Sequence, residues 1–583
     1  MPESQVDPTS VTDRRRGRRI AAPAVGVLAT ALVASLAVSC SSEGEQIPSI
    51  GYAIDNTITT YNAATVDGAA SGAHQAFGRV LPGFTFTGPE GGPIADTDVG
   101  TARTVPGETL TVSYTINKSA VYSDGVPVTC DDLVLTWAAN SGNFTADGQQ
   151  LFDAASTAGY SDIQRVDCQP GAKQALVVFE PGRSFVDWRS LFGATAIMPA
   201  HVVGTATGTD VVGAVQNADI EALTRIADFW NTGWNLVPGE LDLALFPSSG
   251  PYKIESYSVE DGLVLTANEL WWGNKPETSR IVVWPKSDQM KSHIDNGDVQ
   301  VVDVAAGSID GLDLGGFDVI ETASRNLEQF VLSTGGDFAS AAARRAFAAC
   351  IPRDDLAADF GSPTDSEALK TRVDGPVDAR FTAPDTLIYP AVAATAGGRY
   401  RQPDPGAVRR ELDAAGLENL TVRVGYLGPD ARRAAIVEAV SAACGPAGIT
   451  VEDASSPDFR PAMLREGLVD AVLGGTAGVQ GAGGTAAPTT AAYALRTGSG
   501  SNFGGFGNGR IDQIVDQLAV DGGTETRLNI STEAENILWN EVPTVPLFEQ
   551  LRINAFGHGM SEVLPNGTRA GAGWNMDRWV LRG

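Results

Sequence analysis

Apolar and polar residues follow two different spacings along this chain. Short apolar or alternating runs predict strands at residues 110–116, 175–179, 263–267, 280–284, 300–304 and 420–425. Apolar residues with helical spacing predict helices at residues 131–139, 341–350, 405–415, 431–444, 510–518 and 527–539. Because the helices and strands interleave along the chain, we predict an α/β fold.

Local motifs mark how some of these elements begin and end. Asp124 and Gly125 favour a turn, and Thr129 is placed to cap a helix whose first turn contains Asp131 and Asp132. Residues 248–267 predict a turn followed by a hairpin. The segment 474–490 is rich in Gly, Ala and Thr and has no periodicity, which predicts a long loop.

The N-terminus has the pattern of an export signal. Five arginines between residues 14 and 19 precede an uncharged apolar stretch at 20–38, and small residues lead to Cys40. We predict a signal peptide at 1–39, a lipid on Cys40 and a flexible tether at 40–48. The alternatives are an uncleaved anchor and a signal whose cysteine is incidental. No other stretch approaches the roughly 20 apolar residues that span a bilayer.

The charge of the chain limits its partners. The sequence has 41 basic and 70 acidic residues, and its formal net charge is −29. The signal carries five arginines against three acids, so the exported part is near −31. Such an acidic surface disfavours nucleic acid and anionic lipid headgroups. We therefore expect no nucleic-acid partner, and membrane contact only through the lipid.

Four cysteines remain besides Cys40, an even number that suits an oxidising compartment. They are Cys130, Cys168, Cys350 and Cys444, and they allow three disulfide pairings. The alternative is four buried free thiols. We predict no metal site, because no two cysteines have zinc-ligand spacing and the histidines at 74, 201, 293 and 558 are scattered. No cofactor is predicted either.

The motifs of common enzyme classes are missing. The sequence contains no G-x-S-x-G, no H-E-x-x-H and no G-x-x-x-x-G-K-[ST]. Its 70 acidic residues leave a glycosidase-type carboxylate pair open, but no spacing singles one out. We therefore predict a protein that is not an enzyme.

Nine segments resemble, in the same order, those of one family of exported binding proteins. They lie at residues 121–133, 248–254, 268–276, 294–303, 344–353, 404–416, 447–451, 502–512 and 543–548. The family is the extracytoplasmic solute-binding family that includes the dipeptide- and oligopeptide-binding proteins. The ending at 571–579 resembles that of mycobacterial-type peptide-binding lipoproteins.

The resemblance implies two α/β lobes that close on a ligand by a hinge, as in a Venus flytrap. Residues 49–322 would form the first lobe with an extra subdomain, residues 323–543 the second, and residues 544–583 would return to the first. In this architecture we favour the Cys130–Cys168 and Cys350–Cys444 pairings, because each pair then lies within one lobe. On the chain-entropy model each bridge would contribute roughly 4–5 kcal/mol.

The resemblance also implies a function. The chain would capture a peptide and deliver it to the permease and ATPase subunits of an ATP-binding-cassette (ABC) importer. We find no oligomer signal and expect a monomer. The alternatives are the same fold with an oligosaccharide, a metal chelate or another small solute as ligand, and a surface sensor or chaperone-like protein.

The ligand site is harder to predict. Peptide-binding relatives often hold the ligand's amino group with an aspartate in a W-x-x-D segment after a G-x-h-D turn. Here the turn at 467–470 is present, but the tryptophan and the aspartate are missing. An ammonium buried without a carboxylate would be costly. Either another acid takes this role, or the ligand has no free amino group.

Our candidate ligand contacts are Tyr61, Asn62, Trp230, Trp234, Gly474, Gly475, Thr476, Asn502 and Phe503. For each of them, packing is the alternative interpretation. Trp574 and Trp579 are expected to pin the C-terminal tail.

Overall fold

The described part of the chain contains twenty strands. The computed structural model describes residues 48–89, 91–309, 311–361, 375–474 and 492–583. The strands are β1 Ser49–Ile54, β2 Thr85–Thr87, β3 Pro93–Ala95, β4 Gly100–Val105, β5 Thr111–Ile116, β6 Thr145–Ala146, β7 Gln149–Gln150, β8 Ile163–Cys168, β9 Gln174–Phe179, β10 Tyr252–Ser258, β11 Gly262–Ala267, β12 Arg280–Trp284, β13 Val301–Ala305, β14 Phe317–Leu332, β15 Leu420–Gly425, β16 Ile449–Asp453, β17 Ala471–Gly474, β18 Thr544–Gly557, β19 Met560–Ser561 and β20 Val580–Leu581.

Helices lie between most of these strands. The α-helices are α1 Val66–Ala69, α2 Ala73–Phe77, α3 Cys130–Ser141, α4 Ala200–Thr207, α5 Val211–Gln216, α6 Ile220–Thr232, α7 Met290–Asp295, α8 Ala341–Cys350, α9 Arg353–Phe360, α10 Tyr389–Ala393, α11 Pro405–Ala415, α12 Ala431–Cys444, α13 Gly509–Val520 and α14 Thr524–Glu541. Short 3-10 helices cover Trp188–Ser190, Leu243–Leu245, Ala306–Ser308, Gly336–Ala339, Ala394–Ala396, Gly445–Ala447, Pro461–Leu464, Tyr493–Leu495 and Ala572–Arg578. The predicted strands and helices are all present, and most bounds agree within two residues.

Capping residues explain why several helices begin where they do. Asp404 accepts a hydrogen bond from the N–H of Ala407, and proline follows it as the first helical residue. Asp430 and Asn508 cap α12 and α13 in the same way. Thr129 is the N-cap of α3, as predicted, and its own N–H donates to the Asp132 carboxylate at 2.9 Å.

One ten-stranded sheet runs through the molecule. Its strand order is β10-β11-β12-β1-β13-β18-β14-β17-β15-β16. β1 pairs in parallel with β12 and β13, and β15 pairs in parallel with β16 and β17. The long strands β14 and β18 pair antiparallel with each other in the middle. A separate four-stranded sheet, β4-β5-β9-β8, lies in the N-terminal half of the chain.

Two large apolar cores lie along this framework. The first core is built mainly from residues 50–301 and includes four residues between 572 and 581. The second core is built from residues 330–548. β14 and β18 contribute to both ends of the sheet: Val545 and Phe548 pack in the second core, whereas Phe556 packs in the first. The predicted boundary at 543/544 thus falls at the start of β18, and the strand changes cores several residues later.

Both disulfides join elements within one core. Cys130 at the start of α3 bonds to Cys168 at the end of β8, and their sulfurs are 2.02 Å apart. Cys350 at the end of α8 bonds to Cys444 at the end of α12. These are the two pairings favoured from the sequence. Each therefore fixes a helix to its neighbours in the same core.

The N-terminal predictions lie outside the described residues. They comprise the signal peptide at 1–39, Cys40 and most of the tether at 40–48. The compact unit begins at Glu45 and continues to Gly583. Among the described residues, no helix combines the length and the apolar character needed to cross a membrane.

Candidate functional site

The cavity that we name the main cavity lies beside the first core and has a volume of about 220 Å³; a more open surface depression beside α12 and β16 is larger, at about 410 Å³. The walls of the main cavity come from the loop after β1, from α2 and β2, from the loops at 155–160 and 190–196, and from the C-terminal tail at 568–574. Segments from both ends of the chain therefore meet around one space. The volume lies below the roughly 300–1,000 Å³ of typical ligand pockets, which favours a small ligand.

The cavity lining is mostly apolar. Small side chains predominate, including Ala63, Ala64 and Ala155. Phe86 and Trp574 form an aromatic wall, with ring centroids 5.5 Å apart. Small side chains leave room, and aromatic faces offer contact area at little entropic cost, so the cavity suits an organic ligand.

The C-terminal tail is held rigidly where it enters the cavity wall. The buried Asn566 donates to the Thr87 carbonyl at 2.9 Å, and its side-chain oxygen accepts from the N–H of Thr568 at 2.9 Å. Gly571 has a positive φ of 54°, and a Cβ there would lie 2.2 Å from the Asp303 carboxylate. The next N–H, of Ala572, donates to that carboxylate at 2.8 Å. Glycine is therefore required at 571 by both conformation and space.

This anchored tail places Arg569 in the cavity wall next to His74. Arg569 Nη1 lies 3.2 Å from His74 Nε2, and His74 Nδ1 lies 2.8 Å from Thr195 Oγ1. Because a guanidinium can only donate, His74 Nε2 accepts and its Nδ1–H donates to Thr195. Burial, and the neighbouring guanidinium, hold the pKa of His74 well below its usual value. His74 is therefore neutral and orients Arg569.

Thr195 has an uncommon backbone conformation for a β-branched residue. Its φ is +65°, and its N–H donates to the Leu81 carbonyl at 2.7 Å. This conformation directs the Thr195 hydroxyl at the His74 ring. The contacts of Thr195, His74 and Arg569 thus form a continuous chain along the cavity wall.

Arg569 is partly buried, and it differs from the fully buried arginines in having no carboxylate partner. No carboxylate of the described residues lies within ion-pairing distance of it, and no hydrogen bond beyond that to His74 occupies its donors. Burial alone lowers its pKa to about 10. By contrast, Arg79, Arg353, Arg380, Arg432, Arg433 and Arg552 each pair with at least one buried Asp or Glu.

At the rim of the cavity, two segments that are far apart in the sequence contact each other. The N–H of Ser501 donates to the carbonyl of Ala155 at 2.8 Å, and Ala155 also lines the cavity. Next to it, a Cβ on Gly500 would lie 2.1 Å from the Ala154 oxygen. Residues 499–502 lie within the stretch 330–548 that builds the second core, so this close backbone contact joins the second half of the chain to the cavity wall.

A second, smaller cavity of about 40 Å³ lies at the junction between β1, β17 and the start of α12. It is lined by charged side chains that have partners within the protein. Lys286 Nζ is 3.9 Å from the Asp430 carboxylate, and Arg433 Nε is 3.0 Å from that of Glu328. These charges stabilise one another, which makes this cavity a less suitable place for a ligand than the main one.

Four of the predicted ligand contacts are buried in the first core. The Tyr61 hydroxyl donates to the Pro247 carbonyl at 3.0 Å, and the Asn62 amide donates to the Trp230 carbonyl at 3.0 Å. The Trp234 indole donates to the Leu245 carbonyl at 2.8 Å. None of these side chains lines the main cavity, whereas Ala63 and Ala64 do. The structure places these aromatic side chains within the first core, and the cavity begins one residue after Asn62.

The other predicted contacts fall in the second half of the chain. Asn502 donates to the Arg496 and Phe506 carbonyls and stabilises a turn. Phe503 is 1% exposed and packs in a cluster with Val66. Gly474 ends β17 and lines the smaller cavity. Gly475 and Thr476 lie outside the described residues, so their role stays a prediction.

Sequence reasoning missed the two residues that give the main cavity its polar end. His74 was considered only as a metal ligand, and Arg569 was not considered. The neighbouring ending at 571–579 was noticed as a resemblance, but Trp574 was expected only to pin the tail. In the structure, Trp574 lines the cavity, whereas Trp579 is fully buried and contacts the Tyr52 ring edge-on at 5.2 Å.

One cluster of potential metal-binding side chains was found among the described residues. It consists of Cys130, Asp131 and Cys168. The two sulfurs are joined in the disulfide, and the Asp131 carboxylate accepts from the N–H of Gly171 at 2.8 Å. Disulfide sulfurs are not thiolate ligands. The cluster is therefore explained by its covalent and hydrogen bonds.

Solved structures with this architecture are two-lobed periplasmic solute-binding proteins. The periplasmic EDTA-binding protein EppA matches with a TM-score of 0.72 at 20% identity, over 93% of this chain and 97% of that chain. The oligopeptide-binding protein AppA from Bacillus subtilis, solved with a nonapeptide, matches with a TM-score of 0.69 at 13% identity, over 93% of this chain and 100% of that one. The chain thus has the two-lobed α/β fold of this class.

Sequence comparison defines the family. Residues 101–502 match the model of the bacterial extracellular solute-binding proteins, family 5. An uncharacterized lipoprotein of Mycobacterium tuberculosis is 42% identical over 97% of this chain and 99% of its own length. The oligopeptide-binding protein OppA of the same species is 24% identical over 84% of this chain and 77% of its own length. The chain belongs to the family 5 extracellular solute-binding proteins.

Proposed function

We propose that this chain is the substrate-binding lipoprotein of an ABC importer and that it captures peptides outside the membrane. The observation that carries the proposal is the enclosed, mostly apolar cavity of a family 5 fold, next to the contact between the two halves of the chain. The names of OppA and AppA support a peptide as ligand. A lipid on Cys40 would keep the chain, as a monomer, near its permease and ATPase partners.

In this proposal the two lobes close on the ligand by a hinge. β14 and β18 are the hinge strands, because they pair in the middle of the sheet and β18 contributes side chains to both cores. Their pairing is irregular between Ala323 and Leu327 and again at Glu328 and Gln329. Such irregular pairing leaves fewer ladder hydrogen bonds to oppose a change of angle. The lobe limits at 322/323 and 543/544 would then flank the hinge.

A non-peptide solute is the second candidate, and one observation favours it. No acidic side chain is among the described residues that line the main cavity. The chain directly after β17, residues 475–491, also contains no acidic residue. A peptide with a free amino terminus would bury an ammonium group without a carboxylate partner, at considerable cost.

A thermal-shift screen tests the two candidates against each other. The soluble chain from Ser41 onward contains the whole compact unit from Glu45 to Gly583. It would be unfolded and refolded to remove any bound ligand, then screened with peptide pools of graded length, sugars and metal chelates. A ligand that binds only the native state raises the melting temperature. A shift with peptides supports the proposal, and a shift only with a sugar or chelate contradicts the peptide part of it.

A further inference from the structure

The main cavity has an electrostatic asymmetry. Among the described residues that line it, Arg569 is the only side chain with a permanent charge. Its neighbour His74 is neutral, since its Nε2 must accept from the guanidinium. The other polar groups of the lining are hydroxyls, amides and backbone groups. The wall is thus cationic at one point and uncharged elsewhere.

Arg569 is partly buried, and a guanidinium withdrawn from water without a carboxylate carries a cost that this protein avoids at its fully buried arginines. Arg380 in the second lobe shows the usual solution, with Glu535 at 2.8 Å and both side chains buried. Arg79 in the first lobe pairs with Asp96 and Asp577, each at 2.9 Å. A carboxylate is therefore missing at Arg569, and the cavity in front of it has room for one that arrives with a ligand.

The geometry around Arg569 suits a carboxylate better than other groups. A guanidinium has five N–H donors in a planar fork, and His74 occupies one of them. The remaining donors match the two oxygens of a carboxylate, which Arg binds in a bidentate manner. His74 and Thr195 fix the orientation of the fork, so less side-chain entropy is lost on binding than at a free surface arginine.

We propose that Arg569, oriented by His74, is a carboxylate-binding subsite, and that the ligand is a small acid whose other groups are uncharged. Within the proposed function, on which this inference rests, such a ligand is a short peptide with a free carboxyl end and a blocked amino end. The aromatic wall of Phe86 and Trp574 contacts its apolar part. The aspartate that holds the ligand's amino group in peptide-binding relatives is missing here, and a free ammonium has no partner in the described lining. Its absence would therefore contribute to ligand specificity.

The test measures the preference for an acid over its amide. Isothermal titration would use tri-alanine in four forms, with each end either free or blocked by N-acetylation or C-terminal amidation. In parallel, hexanoate would be compared with hexanamide, and galacturonate with galactose. Each would be titrated into the refolded chain from Ser41 onward, into Arg569→Gln and Arg569→Lys, and into the control Arg578→Gln. Arg578 lies in the same tail, is exposed and does not line the cavity.

The expected result is that N-acetyl-tri-alanine with a free carboxylate binds at least tenfold more tightly than its amide. Arg569→Gln should remove this preference, Arg569→Lys should restore part of it, and Arg578→Gln should leave it unchanged. If tri-alanine is silent but a non-peptide acid shows the same Arg569-dependent preference, the subsite stands and the peptide proposal fails. Peptide binding with no acid preference, or with a preference that survives in Arg569→Gln, overturns the subsite and leaves the peptide proposal standing. Silence of every probe counts against both.

Discussion

Two arginines, Arg569 partly buried and Arg380 fully buried, should respond in opposite ways to the same substitution. Arg569 has no carboxylate partner, whereas Arg380 is embedded in a network. Glu535 pairs with the Arg380 guanidinium at 2.8 Å and also accepts from the N–H groups of Arg380 and Phe381. The Arg380 guanidinium further donates to Thr544 and lies over the Trp539 ring. We predict that Arg569→Gln stabilises the ligand-free protein and that Arg380→Gln strongly destabilises it.

The size of the Arg569 effect follows from its pKa. Burial lowers this pKa from 12.5 to about 10. Each pKa unit corresponds to about 1.4 kcal/mol, so keeping this partly buried group charged costs at most about 3 kcal/mol. Because the unfolded chain holds the proton more tightly, this cost is fully present below about pH 10. Replacement by neutral glutamine should therefore raise the free energy of unfolding at pH 7 by about 1–3 kcal/mol, since the amide keeps part of the burial cost.

The Arg380 effect has the opposite sign because its removal leaves Glu535 buried and unpaired. Both side chains of this pair are at most 1% exposed. Breaking a buried pair by removing one partner typically costs about 3–5 kcal/mol. This is a large part of the roughly 5–15 kcal/mol that stabilises a native domain. Burial already raises the pKa of Glu535 with its partner present, so without Arg380 the carboxyl should take up a proton at pH 7, which places the loss near the lower end of this range.

Urea unfolding at pH 7 measures both effects on ligand-free protein, with tryptophan fluorescence as the signal. Arg578→Gln serves as the control, because it removes the same charge from an exposed position. The reasoning is refuted if Arg569→Gln leaves the free energy of unfolding unchanged or lowers it relative to the wild type. Such a loss would mean that the guanidinium has a stabilising anionic partner within the chain. An Arg380→Gln variant as stable as the wild type would refute the network argument.

Three further predictions concern closure, the disulfides and pH. Gly500→Ala should weaken ligand binding at least tenfold and increase the radius of gyration in solution scattering, because the added Cβ would lie 2.1 Å from the backbone oxygen of Ala154. The control is Gly509→Ala, whose Cβ meets no atom within 4 Å and which should change neither quantity. Replacing Cys350 and Cys444 by serine should lower the free energy of unfolding by up to about 5 kcal/mol, since the bridge closes a loop of 94 residues. A reductant should then lower the unfolding free energy of the variant less than that of the wild type. Burial raises the pKa of Asp132 to about 7, so the folded state holds this proton more tightly than the unfolded chain does. The contribution of Asp132 to stability should therefore fall by about 4 kcal/mol as the pH rises from 4 to 7. The difference in unfolding free energy between Asp132→Asn and the wild type measures this fall, and a difference that stays the same at both pH values would contradict it.

The elements and the fold could be predicted because their signals are local. The helices at Ala341–Cys350, Pro405–Ala415 and Ala431–Cys444 match their predicted bounds, since capping residues and apolar spacing act within a few residues. The collinear motifs then defined the family. The favoured disulfides followed from the lobes that this family has.

The candidate site could not be predicted because its signals are non-local. His74 and Arg569 are separated by 495 residues, and only the returning tail brings them together. Conversely, Asn62 and Trp234 were predicted as ligand contacts, but a buried aromatic or amide group has the same identity in a core as in a pocket. Only the partner of each side chain distinguishes the two situations, and the partners come from the fold.

The unpaired state of Arg569 is informative because of the composition of the chain. Acidic residues outnumber basic ones 70 to 41, so carboxylates are abundant. The other buried arginines use them, including Arg552, which pairs with Asp303 at 2.7 Å close to the start of the same tail. A partly buried arginine that lacks a carboxylate in such a chain leaves a cost that a bound acid would remove. Ligand binding and stability are then coupled through one side chain: the ligand-free protein carries the cost, and the acid that fills the cavity supplies the missing partner.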